Sequence, residues 1–398
     1  MDTTKQAKIP IVVFSKLEDL KPGTSSWLSA RKQVCDALEE HSYFVARLSE
    51  EVCLELHNRI FSALDDLFDF PKESREKNMS EKPFRGHYSD NVAIDSVGID
   101  DATSLEEALN FAKIFWPNGN DRFSEIVNSY GKFMTGLDQT VTRMIFDYYG
   151  VEKYKCDSHI KSMEYVLKFT RYKLESDHHH LQKKEQPYVA IGEHEDLSFT
   201  TIIHDNDVNG LEIKTKDGKW IVFDGSPSSF LVMASDALQL WSNDRIKPCT
   251  HRVVLRENKV RYSLLLLTYN KGIICVPEEL IDEEHSLRYK PLNHPEYVAL
   301  QYRDTKTRLC LKSFCVCSAC PAANRTLPVA APLQQEELSF IVADSSSKLH
   351  MRRSSRQKDQ AKSSPTRILM QNNRRAKEVD KMSVYIYTIK NMMELDED

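Results

Sequence analysis

No run of about 18 apolar residues occurs in the 398-residue chain, which argues against a membrane-spanning helix. The opening stretch, MDTTKQAKIPIVVF, lacks both the basic start and the apolar length of a secretory signal, so a cytoplasmic address and no membrane partner are expected. Also missing are the G-x-S-x-G elbow of a serine hydrolase, the P-loop and the Rossmann glycine pattern, which leaves no signature for those chemistries. No internal repeat is visible. Five of the nine cysteines (Cys35, Cys53, Cys156, Cys249 and Cys275) lack ligand-like spacing, as expected of buried free thiols in a reducing compartment.

What is present is enough apolar sequence for a large core, 41% of residues, and an uneven distribution of charge. Residues 309–398 carry 14 Lys+Arg against 10 Asp+Glu, whereas the first 308 residues hold a net charge of −9. Cys310, Cys315, Cys317 and Cys320 supply enough thiols for a structural zinc, but the Cys-Val-Cys step is too close for an ordinary ribbon. The stretch 345–390 holds 12 Lys+Arg against 3 Asp+Glu, without interleaved aromatics or a recognised nucleic-acid fold. A disordered tail with no specific nucleic-acid partner is the expectation.

Periodicity divides the rest. IPIVVF and SYFVARL read as strands, and helical spacing runs over about 26–40, 49–70, 104–115 and 122–149, with Ser49 placed to cap the second helix. From about Glu164 the pattern changes to YVLKFTRYKL, FTTIIHD, GLEIKTKDGKWIVF, SFLVMAS, CTHRVVLR and VRYSLLLLTY, with KDGKW as a hairpin signal. The expected fold is mainly β, an antiparallel core flanked by N-terminal helices. The expected divisions are an N-terminal region of helices and short strands over 5–120, a long connecting helix over 121–160, a β core over 161–270, a C-terminal helical segment over 271–308 and an atypical tail over 309–398.

Within the β region, IGEHEDLSFTT places His194 and Asp196 two apart, on one face if the run is a strand. His251, in CTHRVVLR, supplies a third candidate ligand, and Arg261 and Ser263 follow as another pair two apart. A hairpin with Arg256, Glu257 and Asn258 as its loop would pair His251 with Ser263 and turn His251 and Arg261 to one side. Two histidines and one carboxylate leave half of a metal's coordination sphere open, as non-haem Fe(II) oxygenases require and as zinc hydrolases also use. Arg261 separates these readings, since a guanidinium beside a hydroxyl is a fork for a carboxylate. Glu195 is expected on the second face, and His204, His285 and His294 are expected to be structural or exposed.

His194-Glu195-Asp196, then His251, then Arg261-Tyr262-Ser263 resemble the HxD…H…RxS signature of plant 2-oxoglutarate and Fe(II)-dependent dioxygenases of the isopenicillin N synthase-like family. The stretches DLFDFPKESREKNMSEKPFRGHY, VNGLEIKTKDGKWI and PEELIDEEHSLRYKP resemble its glucosinolate-modifying branch, which produces alkenyl and hydroxyalkyl side chains. The resemblance covers roughly residues 9–300. It implies a double-stranded β-helix (jelly roll), iron held by His194, Asp196 and His251, and 2-oxoglutarate held by Arg261, Ser263 and Tyr172, with O2 as cosubstrate, ascorbate in support and no protein nucleophile. Arg171 stands where relatives commonly have asparagine. Leu267 stands where they often have a pocket aromatic, and Leu267 and Phe199 are the candidate pocket residues. The loop with His178, His179 and His180 is a candidate lid.

The expected function is oxidation of a small plant specialised metabolite or hormone by a monomer, through hydroxylation, desaturation or oxidative dealkylation, with release of succinate and CO2. The alternative is a catalytically impaired oxygenase fold that binds partners through its divergent tail. A zinc hydrolase is a third reading, and it leaves Arg261 without a role.

Overall fold

The structure, a computed structural model, describes residues 8–14, 20–174, 187–257, 259–303 and 311. Contacts divide the chain into Met1–Cys320 with Ile389–Asp398, and Pro321–Thr388. Every described residue belongs to the first unit. The expected lid with its three histidines, the clustered cysteines and, apart from Leu311, the tail lie outside the described residues.

Eight α-helices occur among the described residues: α1 (Ser25–His41), α2 (Glu50–Phe68), α3 (Lys72–Arg75), α4 (Leu105–Phe115), α5 (Asp121–Tyr148), α6 (Lys153–Lys161), α7 (Asp236–Trp241) and α8 (His294–Arg303). Local chemistry sets their ends. The Thr24 hydroxyl accepts from the Trp27 N–H at the start of α1, and Ser104 does the same for Glu107 in α4. Ser49 occupies the cap position of α2 but makes no side-chain cap bond; Glu50 and Glu51 in the first turn suit the helix dipole instead. The region 121–160 holds two helices rather than one, with Gly150 at φ 71° between them.

The strands are β1 (Ile11–Val13), β2 (Tyr43–Arg47), β3 (Tyr88–Ser89), β4 (Ile94–Ile99), β5 (Met163–Tyr172), β6 (Tyr188–His194), β7 (Thr200–Asp205), β8 (Leu211–Lys214), β9 (Trp220–Val222), β10 (Ser229–Ala234), β11 (His251–Leu255), β12 (Arg261–Asn270), β13 (Ile273–Ile274) and β14 (Leu292–Asn293). One sheet has eight strands in the order β1-β2-β10-β7-β12-β5-β4-β3, a second has the order β6-β11-β8-β9, and β13 pairs with β14. The spine of the large sheet is the ten-residue pairing of β5 with β12, from Tyr172↔Arg261 to Met163↔Asn270.

Alternation sends one face of each sheet into a shared core. Tyr43, Val45, Ile94, Tyr172, Ile203, Leu231 and Met233 from the large sheet meet Leu211, Ile213, Val253 and Leu255 from the small one. Opposite residues of the large sheet face the helices, where α5 contacts α1, α2 and α4. The KDGKW signal is realised: β8 and β9 pair through Lys214↔Trp220, with Gly218 at φ 81° in the turn.

The expected hairpin between the His251 and Arg261 strands does not form. β11 pairs with β6 and β8 in the small sheet, while β12 pairs with β5 and β7 in the large one. The chain between them crosses from one sheet to the other. Alternation could place side chains on faces, but it carried no information about which strand each would pair with.

Candidate metal and cosubstrate site

His194 ends β6 and His251 begins β11, and the two are direct cross-strand partners with ring centroids 4.1 Å apart. Asp196 does not belong to a strand, contrary to the alternation expected for this run. It lies in the bend between β6 and β7, that is, between the small sheet and the large one. Backbone bonds pin that bend: Asp236 N–H donates to Asp196 O at 3.0 Å, and Phe199 N–H donates to Thr268 O at 2.8 Å.

One donor atom from each of His194, Asp196 and His251 lies within 4.8 Å of the others. His194 Nδ1 is 2.9 Å from Gly192 O, and His251 Nδ1 is 3.1 Å from Cys249 O. A carbonyl can only accept, so each Nδ1 carries a proton and each ring turns Nε2 inward as the nitrogen that can bind a metal. Those Nε2 atoms lie 3.7 and 3.9 Å from the two Asp196 oxygens. Two imidazole nitrogens and a carboxylate converging in this way form a donor set that fits a metal ion. The Thr201 hydroxyl donates to Asp196 Oδ2 at 2.7 Å and fixes that carboxylate from behind.

The second half of the site is on the large sheet. Arg261 is 1% exposed, pairs in register with Tyr172, and sets its guanidinium 4.9 Å from the Tyr172 ring centroid. One Nη2–H donates to Asp205 Oδ2 at 2.5 Å, whereas Nε and Nη1 are buried with no hydrogen-bond partner among the described residues. Buried guanidinium donors left unpaired cost several kcal/mol, roughly 1–3 for each neutral-type bond and more with charge, so they identify a site for an acceptor. Ser263, two residues along the same face, pairs in register with Thr170 and Asp205. Burial pushes the Tyr172 hydroxyl up to about 12, which keeps it a hydrogen-bond donor at neutral pH. These groups fit a carboxylate with two oxygens to satisfy.

The structure places the other candidates as follows. Leu267 shares the inner face of β12 with Arg261 and is the partner of Thr201, beside the Asp196 carboxylate. Phe199 is fully buried against His159 of α6 and Trp241 of α7, so its ring belongs to the helical layer and not to a pocket at the metal. Glu195 accepts from the Thr250 hydroxyl at 3.0 Å. His204 is buried between His57 and Tyr130, and His294 is buried with Nε2–H donating to Leu197 O at 2.8 Å. His285 is paired with Asp282 on the surface. Arg171 faces outward, where it lies 3.5 Å from Asp95 and over the Phe68 ring. Of the five scattered cysteines, four are buried and Cys275 is exposed.

Sequence reasoning missed Thr201, Asp205 and Gly210. Asp205 and Thr201 lie on the inner parity of β7, a position the alternation of FTTIIHD could have disclosed. Gly210 has no such signal: a Cβ there would lie 2.8 Å from Arg261 Cδ.

The model of the 2OG-Fe(II) oxygenase superfamily matches residues 163–268, which span β5 to β12 and contain all the residues of this site. A probable 2-oxoglutarate-dependent dioxygenase of Arabidopsis thaliana, AOP1.2, is 36% identical over 294 residues, covering 73% of this chain and 90% of that protein. The chain belongs to the 2-oxoglutarate and Fe(II)-dependent dioxygenase family. Among solved structures, the dioxygenase for auxin oxidation in rice matches with a TM-score of 0.64 at 22% identity, covering 78% of this chain and all of that one. The Arabidopsis thaliana enzyme AtDAO1, in its binary complex with 2-oxoglutarate, matches with a TM-score of 0.59 at 22% identity, covering 70% of this chain and all of that one. These likenesses establish the fold, the jelly roll of this oxygenase family. The dioxygenase is an oxidoreductase that uses Fe(II) and 2-oxoglutarate and releases succinate and CO2. No described helix is long and apolar enough to cross a membrane.

Proposed function

We propose that this dioxygenase hydroxylates, desaturates or oxidatively dealkylates a small plant specialised metabolite or hormone. His194, Asp196 and His251 hold Fe(II), and Arg261, Ser263 and Tyr172 hold the distal carboxylate of 2-oxoglutarate. When bound, the iron and the keto acid supply the O2 chemistry that oxidises one substrate position. The chain's own contribution is orientation. Gly192 O and Cys249 O fix the imidazole tautomers, Thr201 holds the carboxylate, and the Arg261 fork aims the keto acid from the large sheet toward the small one.

The observation that carries this reading is the pair of unpartnered donors on a fully buried Arg261. A zinc hydrolase would have no use for them. Similarity to AOP1.2 and to auxin-oxidising dioxygenases supports a plant metabolite or hormone as substrate. The reading extends to a monomer in the cytoplasm, with ascorbate keeping the iron reduced, Leu267 at the substrate pocket and no nucleic-acid partner. The strands from Met163 to Asn270 form the working core, with the helices before them as its support.

Anaerobic titration with Fe(II) and 2-oxoglutarate should develop the weak visible charge-transfer band of the chelate. Arg261→Ala should abolish the band at wild-type cosubstrate concentrations, and His251→Ala should abolish succinate release while circular dichroism reports a folded protein. A full band in Arg261→Ala would remove the proposed role of that arginine.

A further inference from the structure

Asp196 is the one member of the proposed metal set that no strand holds, since it lies in the bend between β6 and β7. Its place depends on how that bend is pinned. Each carbonyl from Asp196 to Phe199 accepts a hydrogen bond. Three of these bonds come from the backbone at the start of α7: Asp236 N–H donates to Asp196 O at 3.0 Å, Ala237 N–H to Ser198 O at 3.1 Å and Ser235 N–H to Phe199 O at 3.3 Å. The remaining one, at Leu197 O, comes from a side chain, the imidazole of His294 at 2.8 Å.

His294 opens α8 and is fully buried. Its ring is engaged at both nitrogens. Nδ1 accepts from the Asn270 N–H at the end of β12, at 3.0 Å, so Nε2 carries the proton that goes to Leu197 O. Burial lowers its pKa to about 4, and the neutral ring is the form that can accept and donate at once. Three residues further along α8, the buried Tyr297 donates its hydroxyl to Asp236 Oδ2 at 2.6 Å. Residues three apart on a helix share a face. One face of α8 therefore reaches the bend twice, directly at Leu197 and through Asp236, whose N–H holds the Asp196 carbonyl.

A peptide unit is planar, so a bond to its carbonyl fixes the whole plane. The bonds at Asp196 O and Leu197 O fix the planes on both sides of Leu197 and leave that residue no rotation to pass on to Asp196. Thr201 holds the carboxylate itself, whereas His294 holds the backbone from which the carboxylate projects.

We propose that His294 is a positioning residue for the metal centre, and that α8 acts through it and Tyr297 to keep the Asp196 carboxylate in reach of His194 and His251. The inference rests on the reading of Asp196 as a metal ligand and extends that centre to a helix distant in the sequence. His294 acts through the backbone and not as a ligand, because both of its ring nitrogens are already used.

The test uses the full chain and reads metal binding without turnover. Co(II), whose visible bands report ligand geometry, is titrated into metal-free protein; Fe(II) with 2-oxoglutarate follows anaerobically for the charge-transfer band, and each variant's melting temperature is taken without metal. His294→Asn keeps an acceptor at the Nδ1 position but is too short to reach Leu197 O. His294→Gln returns an amide N–H near the Nε2 position, and Tyr297→Phe removes only a hydroxyl. Val298→Ala, at a buried apolar position of the same helix, is the control for loosened packing. The expected result is Co(II) affinity lowered about tenfold or more in His294→Asn, with altered bands, and about threefold or more in Tyr297→Phe. It stays within about threefold of wild type in His294→Gln and within about twofold in Val298→Ala, and the 2-oxoglutarate midpoint at saturating metal is kept within about threefold throughout. Wild-type Co(II) affinity in His294→Asn, a loss no larger than that of Val298→Ala, or equal losses in the two His294 variants would overturn the proposal. If His294→Asn does not fold, Tyr297→Phe decides by the same comparison with Val298→Ala. Wild-type protein that takes up no Co(II) and shows no band would strike down the metal reading itself, and this inference with it.

Discussion

Gly210→Ala adds one methyl group at the point where β8 approaches Arg261. The new Cβ would lie 2.8 Å from Arg261 Cδ and 3.0 Å from Nε, about a half to one ångström inside an ordinary carbon contact. These are mid-chain atoms of a side chain that is 1% exposed, so they cannot swing away as a flexible tip would. Gly210 cannot yield easily either, because its carbonyl accepts from Val254 N–H at 2.8 Å. The guanidinium must therefore shift along the sheet, disturbing its bond to Asp205 and turning Nε and Nη1 away from the site of the cosubstrate carboxylate. Overpacking of this kind costs about 1–3 kcal/mol of stability, and misplacing a carboxylate fork by about 1 Å costs about 100-fold in productive binding. The expected outcome is a 2-oxoglutarate midpoint raised ten- to a hundredfold in the anaerobic band titration, with the melting temperature lowered by a few degrees and Fe(II) binding in the absence of cosubstrate much less affected. A midpoint equal to wild type would refute the claim that Arg261 is the anchor and that Gly210 makes room for it.

Thr201→Val removes the hydroxyl that holds Asp196 Oδ2, and weakens Fe(II) affinity by about tenfold, as read by metal titration; an unchanged affinity would show that the carboxylate needs no support from behind. Asp138, buried on α5 beside the Thr200 hydroxyl, has its carboxyl pushed up to about 7 by burial. Its folded pKa lies above the unfolded value near 4, so the native state binds the extra proton and stability falls as pH rises through that window. Asp138→Asn should therefore raise the melting temperature at pH 8, change it little near pH 4, and flatten the slope between; a slope equal to wild type would place the titration elsewhere.

The candidate site was more legible than the topology, for a physical reason. Residues able to hold a metal or a carboxylate must be of particular types, so His194, Asp196, His251 and Arg261 stand out in the chain whatever surrounds them, and the structure brings the first three together. Which strands pair depends on long-range contacts, and nothing in CTHRVVLR or VRYSLLLLTY records that their partners are β6 and β5 rather than each other. The short strand β4 was unreadable because Asp95, Ser96 and Gly98 interrupt its apolar pattern, and the buried ion pair of Asp95 with Arg75 at 2.7 Å explains a carboxylate there. That pairing also accounts for Arg171, which answers Asp95 on the outer face and does not point toward the cosubstrate. Phe199 was misplaced for a related reason: it precedes β7 in the pinned bend, where alternation no longer says which way a side chain points.

The sheet-crossing connection between β11 and β12 has a functional consequence that a hairpin could not supply. His194 and His251 are on the small sheet, and Arg261, Ser263 and Tyr172 are on the large one. Asp196 sits in the bend that joins them. A hairpin in the expected register would have set the second histidine and the arginine diagonally across one ladder, about 7–8 Å apart and pointing the same way, with no room for a keto acid to lie between metal and guanidinium. Splitting them between facing sheets about 10 Å apart leaves room for a five-carbon diacid to reach from one to the other. The separation that defeated the local reading of the sequence therefore suits the cosubstrate's length, and with the proposed ligands a bound keto acid would bridge the two halves of the core.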